Sequence, residues 1–331
     1  MKQSAESQSA EALLTRLNDA AQFERSRPVQ VNPSWFAKLP HADAAVVANA
    51  LVGSLGSVPV SLGPIRRSDL IHLARGGLFF ALANRNGDTD VSALSGEMFD
   101  RQSWQRGWSP SSREPLEQLF SRSALGETEY VPHLFGPYHA AFVQPHLAGP
   151  AAPTTEVTKV LRPWLRGLLP HTRSFSAIQE KFVEDVGCLV DELVDNVREH
   201  GATQENGEPA HSLVQIFVTR GSHGNRITLT VLDTGRGIPT TARPKVAAEL
   251  ASASDADLVE ALCEGRAGNW NRARGLGLPR VWDAVRSWER ARMILASGCA
   301  RLEDVGDSLK KHDSNFQLAG TVVTASFVVP R

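Results

Sequence analysis

The chain has 331 residues, 42% of them hydrophobic and 21% charged, with a formal net charge of −1. That length accommodates two domains with separate cores, and that balance belongs to a folded globular protein rather than a disordered or membrane-embedded one. A near-neutral charge with only scattered arginines argues against nucleic acid as a partner, because phosphate neutralisation draws on clustered Lys and Arg.

In chain order, the N-terminal stretch is polar, with one amphipathic segment at Leu13, Leu14, Leu17 and Ala21, and lacks the basic start and apolar core of a signal peptide. No apolar run reaches bilayer-spanning length. Cys188, Cys263 and Cys299 are far apart and in no paired motif, so the expectation is a cytoplasmic protein without disulfides or a zinc site. Short apolar runs at 29–31, 58–62 and 78–83 alternate with helical spacings at 44–55 and 68–74, a small α/β pattern. Residues 84–115 turn polar and loop-like, and 116–125 regain helical spacing. The Pro- and Gly-rich stretch 146–155 interrupts any period and is the expected linker between an N-terminal α/β domain, 1–145, and a second domain, 156–331.

Residues 156–169 and 177–200 read as helices. The second carries an apolar stripe of Phe182, Val186, Leu189, Val190, Leu193 and Val197, with Gly201 as its stop. Strands are expected at 213–219 and 226–232, joined by a turn-rich spacer at 221–225. Helical pieces follow over 238–274, then a helix at 279–290 and strands at 292–296 and 321–329.

Three segments carry chemistry. On the long helix, Glu192, Asn196 and His200 stand at i, i+4 and i+8, so a carboxylate, an amide and an imidazole share one face opposite the apolar stripe. Such a face lines a cleft or is merely solvated. Next, a strand runs directly into Asp233, followed by Gly235 and Gly237, which let the backbone turn sharply and approach a flat ligand. A carboxylate there can accept a hydrogen bond from an exocyclic amine such as that of adenine; a plain β-turn accounts for the same residues. Finally Gly275 and Gly277 precede a helix with Pro279 in its first turn. Backbone N–H groups at such a helix entry can hold phosphate, with Arg274 adding a charged contact, although a helix-entry loop needs no ligand.

Taken together and in this order, Glu192-Leu-Val-Asp-Asn196, Asp233-Thr-Gly235-Arg-Gly237 and Gly275-Leu276-Gly277-Leu278 resemble the asparagine box and the two glycine boxes of the GHKL superfamily (gyrase, Hsp90, histidine kinases, MutL). Gly320-Thr321 resembles its closing glycine-threonine element. The spacings agree: 37 residues separate Asn196 from Asp233 and 42 separate Asp233 from Gly275. The resemblance implies a Bergerat-type α/β sandwich, with helices on one face of a mixed sheet, that binds ATP and Mg²⁺. It further implies that Asn196 holds the metal, Asp233 reads adenine, Gly235 and Gly237 let adenine approach, and Thr321 stands behind it. Gly275, Leu276, Gly277 and Leu278 would wrap the phosphates, and Glu192 would be the general base. Ala273 stands where the family often has a glycine, implying a stiffer start to the phosphate loop.

No histidine occupies a phosphoacceptor setting of the histidine-kinase kind, and the chain reaches Arg331 directly after the last expected strand, without a transducer segment. The resemblance is therefore nearest to anti-sigma-factor serine kinases or related bacterial ATP-binding regulators. The expected activity is Mg²⁺-dependent ATP hydrolysis or protein serine/threonine phosphorylation. The alternative is a non-catalytic, ATP-gated switch that grips a protein partner. A protein partner or a homodimer is expected, and no nucleic acid or membrane. The N-terminal alternation resembles a STAS-type partner domain.

Overall fold

The computed structural model describes residues 10–23, 28–63, 69–84, 89–90, 129–132, 139–144, 161–163, 165–167, 176–201, 203–204, 207, 210–221, 224–267, 277–306 and 308–329. The chain divides into two compact units, Met1–Arg122 with Ser314–Ala319, and Ser123–Asp313 with Gly320–Arg331. Both mix helix and strand.

The first unit runs α1 (Ala10–Phe23), β1 (Val29–Val31), α2 (Pro33–Phe36), α3 (His41–Val52), β2 (Val60–Leu62), α4 (Leu70–Arg75), α5 (Leu78–Asn84) and β3 (Thr89–Asp90). Its strands pair in parallel in the order β1-β2-β3, so each connection must cross over, and the helices supply the crossovers. The apolar run 78–83, expected as a strand, is helical. Leu78, Phe79, Phe80, Ala81 and Leu82 are all buried, and a continuous apolar run has no period to separate a buried helix from a buried strand.

The second unit begins with β4 (Glu129–Pro132) and β5 (His139–Gln144). These were expected to belong to a domain ending at residue 145, yet β5 pairs residue for residue with the next strand, β6 (Ser212–Gly221). Backbone pairing thus moves the division to Arg122/Ser123. The segment 146–155, expected as the linker, lies outside the described residues. Helix α6 (Ala177–His200) starts at a full capping box, in which Ser176 Oγ accepts from Gln179 N and the Gln179 side chain accepts from Ser176 N. Its expected stripe is buried throughout.

The remaining elements are β7 (Gly224–Asp233), α7 (Ile238–Ala242), α8 (Ala248–Ala251), α9 (Asp255–Cys263), α10 (Gly277–Arg286), β8 (Arg292–Val305) and β9 (Ser308–Val328). The sheet order is β4-β5-β6-β7-β9-β8. From β4 through β9 the described pairings are antiparallel, where a mixed sheet was expected. Val214, Ile216 and Val218 on β6, Ile227, Leu229 and Val231 on β7, and Val323, Ala325 and Phe327 on β9 form one apolar face. Helices α6, α9 and α10 pack on that face through Phe182, Val190, Val259 and Trp282, among others. β8 and β9 run well beyond the strands expected at 292–296 and 321–329. The stretch 310–312 within that extension is exposed throughout and so carries no inside-outside alternation, whereas Ala300, Leu302 and Asp304 and then Phe316 and Leu318 do alternate. Among the described residues no helix is long and apolar enough to cross a membrane.

Candidate functional site

The cleft lies within the second unit, between the polar face of α6, the end of β7, and the first turns of α7 and α10. Its volume is about 490 Å³. Glu192, Asp195, Asn196, Glu199 and His200 line one wall; Asp233, Gly237, Ile238, Thr241 and Lys245 line another, with Gly277, Leu278, Thr321 and Val323 completing it. The helical spacing of Glu192, Asn196 and His200 therefore does face a cavity. Leu193, Val197, Val231 and Leu262 add an apolar floor, and this mixture of apolar area with a few convergent polar groups is typical of small-molecule sites.

Asp233 is the last residue of β7, paired with Ser212 on one side and Thr321 on the other. It is 4% exposed. Its Oδ1 accepts the Gly235 N–H at 2.9 Å. Burial pushes its carboxyl up to about 7, with the Gly235 and Thr321 backbone N–H groups acting in the opposite direction. Glycines make this packing possible. A Cβ on Gly201 would come within 2.7 Å of Asp233 Oδ1, and a Cβ on Gly320, where φ is +81°, would fall 1.9 Å from the Asp233 carbonyl oxygen. Gly235 does not line the cavity: it backs onto Gly201, where a Cβ would meet main-chain atoms at 2.5 Å. Gly237 does line it, at a φ of +76° that favours glycine.

On α6, Asn196 Nδ2 is buried and without a protein hydrogen-bond partner. Gly277 stands directly opposite: a Cβ there would lie 3.1 Å from Asn196 Oδ1 and 3.3 Å from Glu192 Oε2. Glu192 Oε1 accepts a hydrogen bond from Arg280 Nη1 at 2.8 Å. Burial raises the Asp195 carboxyl; Arg198 opposes the rise, while Glu192 and Glu199 add to it. Arg274, Gly275 and Leu276, together with Ala273, fall outside the described residues, so of the second glycine segment only Gly277 and Leu278 are located in the wall.

Sequence reasoning missed Ser297. It is fully buried on β8 and joins three elements: its Oγ accepts from Ile238 N at 2.8 Å, donates to the Gly320 carbonyl at 2.8 Å, and lies 3.0 Å from Thr321 Oγ1. One signal was present, since Met293 and Leu295 point inward and a serine continues their row at i+2. Arg243 was missed as well. Its guanidinium donates to the carbonyls of Ala251 and Ala253 and to Asp255 Oδ1, while Asp255 Oδ2 accepts the Cys299 N–H. This fastens the segment carrying Thr241 and Lys245 to β8. No family model matches the chain, and no curated protein matches it.

Proposed function

We propose that the second unit is an ATP-binding domain of the GHKL type, a Bergerat-type sandwich that uses ATP for hydrolysis or for phosphoryl transfer to a protein hydroxyl. One observation carries this reading. Residues from three segments far apart in the chain, Glu192 and Asn196, Asp233 and Gly237, and Gly277 and Leu278, line a single cavity of about 490 Å³, and their types suit metal, adenine and phosphate respectively. Asp233 at the inner wall supplies an acceptor for an exocyclic amine. The apolar floor suits a flat base.

The residues also fit Mg²⁺. Asn196 offers a hard oxygen, its amide nitrogen has no protein partner, and Gly277 puts no side chain against it. Among the described residues no group of three acidic, His or Cys side chains is arranged to hold a metal. One or two protein oxygens with phosphates and water suffice for this ion. Bound there, Mg²⁺ would offset the charge of the phosphates. Glu192, on the same helical face, would take the proton from a water or hydroxyl as that oxygen bonds to the terminal phosphorus and ADP departs. The protein would act in the cytoplasm on a protein partner.

Nucleotide binding and turnover on the purified chain test this. Glu192→Gln should keep ATP binding and slow turnover by roughly 10²-fold or more, the scale of general-base catalysis. Asn196→Ala should lower Mg²⁺-supported binding and turnover together. Tight binding with no hydrolysis and no transfer would make the domain an ATP-gated switch that grips a partner. An absence of binding would end the ATP reading.

A further inference from the structure

Arg280 stands on α10 three residues after Gly277, and it is the one cation paired with Glu192 among the described residues. It reaches across from α10 to α6 and donates Nη1 to Glu192 Oε1 at 2.8 Å. The arginine side chain is 63% exposed and that of Glu192 26%. Glu192 lines the cavity; Arg280 is not part of its wall. An ion pair this open to solvent contributes little to stability. What the pair does determine is orientation.

A free glutamate samples many rotamers, and a general base must present one oxygen in one place. Arg280 engages Oε1 from outside the cavity. The other oxygen, Oε2, lies on the Gly277 side, where a Cβ on that glycine would be 3.3 Å away, with Asn196 beside it. One oxygen is thus tethered and its twin is presented to the site. The arrangement has the logic of a base oriented by a third group.

We propose that Arg280 is a positioning residue that acts through Glu192, fixing the carboxylate so that Oε2 faces the site. The proposal rests on Glu192 serving as the base in the function given above. Arg280 makes no contact with the ligand in this account, so its loss acts on the chemical step and not on affinity.

The test measures kcat, KM and ATP affinity for wild type, Arg280→Ala, Arg280→Lys, Glu192→Gln and the Arg280→Ala/Glu192→Gln double variant. The expected result for Arg280→Ala is kcat lowered by about 10-fold or more, within the range seen when positioning is lost, with KM and affinity within twofold. Arg280→Lys should recover part of that loss, because an ammonium can still hold Oε1. The double variant should be no slower than Glu192→Gln alone, since the arginine acts only through the carboxylate. An unchanged or increased kcat in Arg280→Ala overturns the proposal while leaving the ATP reading intact. So does a loss of affinity equal to the loss of kcat, or full additivity in the double variant. Wild type that binds ATP without turnover overturns both the base role of Glu192 and this proposal.

Discussion

Gly235 donates its backbone N–H to Asp233 Oδ1 at 2.9 Å, and this contact accompanies a carboxyl that burial holds at about 7. Between the ordinary aspartate value of 3.8 and about 7, the folded protein keeps a proton on Asp233 that the unfolded chain releases. Stability should therefore be highest, as far as this group is concerned, below pH 4, and should fall as pH rises to 7, then level off. The full effect is on the order of 4 kcal/mol. Denaturant titrations of wild type and Asp233→Asn from pH 4 to 8 check it: the wild-type midpoint should decline relative to the variant. Parallel curves would contradict it.

The same proton matters to a ligand. An amine donor prefers the ionised carboxylate, so binding should release a proton near neutrality and weaken below pH 7. Calorimetry at pH 7 in buffers of different ionisation enthalpy measures the released proton directly. Binding that tightens on acidification would speak against an amine donor at Asp233.

Gly320→Ala places a Cβ against the Asp233 carbonyl, at a φ of +81°, where neither backbone can give way. The expected cost is at least about 2–3 kcal/mol in thermal or chemical unfolding. Gly277→Ala is different in kind, because its Cβ meets the ends of the Asn196 and Glu192 side chains. Those can move, so stability should change by less than about 1 kcal/mol while nucleotide affinity and turnover both drop. A Gly277→Ala protein with wild-type turnover would remove this glycine from the site.

Ser297→Ala deletes the buried hydroxyl shared by Ile238 N, the Gly320 carbonyl and Thr321 Oγ1. Leaving Ile238 N and the Gly320 carbonyl without this partner should cost about 1–3 kcal/mol of stability. It should also loosen Thr321 in the cavity wall. Hydrogen exchange at Ile238 and Thr321 reports this: faster exchange at both is expected, and unchanged protection would show that the backbone holds without the serine.

Much of the site could be read from spacing. The i, i+4, i+8 placement of Glu192, Asn196 and His200 requires only helical geometry, and α6 runs over Ala177–His200 as its cap and stop residues indicate. Asp233 could be located because an apolar strand runs directly into it and two glycines follow. What could not be read depends on tertiary cover. Gln215, Thr228, Thr230 and Thr324 alternate with the apolar face and so read as solvent-facing, yet all are buried. Polar periodicity indicates which residues share a face, not what covers it. The exposed stretch 310–313 of β9 and the Arg243 network were hidden for a related reason: uniformly exposed strand residues and arginine-to-carbonyl bonds leave no period in sequence. Strand pairing of 139–144 with β6 is a non-local choice that a linker-like composition at 146–155 obscured.

The most direct measurement for the central claim is calorimetric titration of the full chain with ATP and with GTP, in the presence of Mg²⁺, for wild type and Asp233→Asn. Wild type should bind ATP and discriminate against GTP, whose exocyclic groups do not offer the same donor. Asp233→Asn should weaken ATP by about 1.5–3 kcal/mol, the range of a hydrogen bond to a charged group, and blunt the discrimination. Equal affinity for ATP and GTP, or equal ATP affinity in wild type and variant, would contradict the assignment of this cavity to adenine.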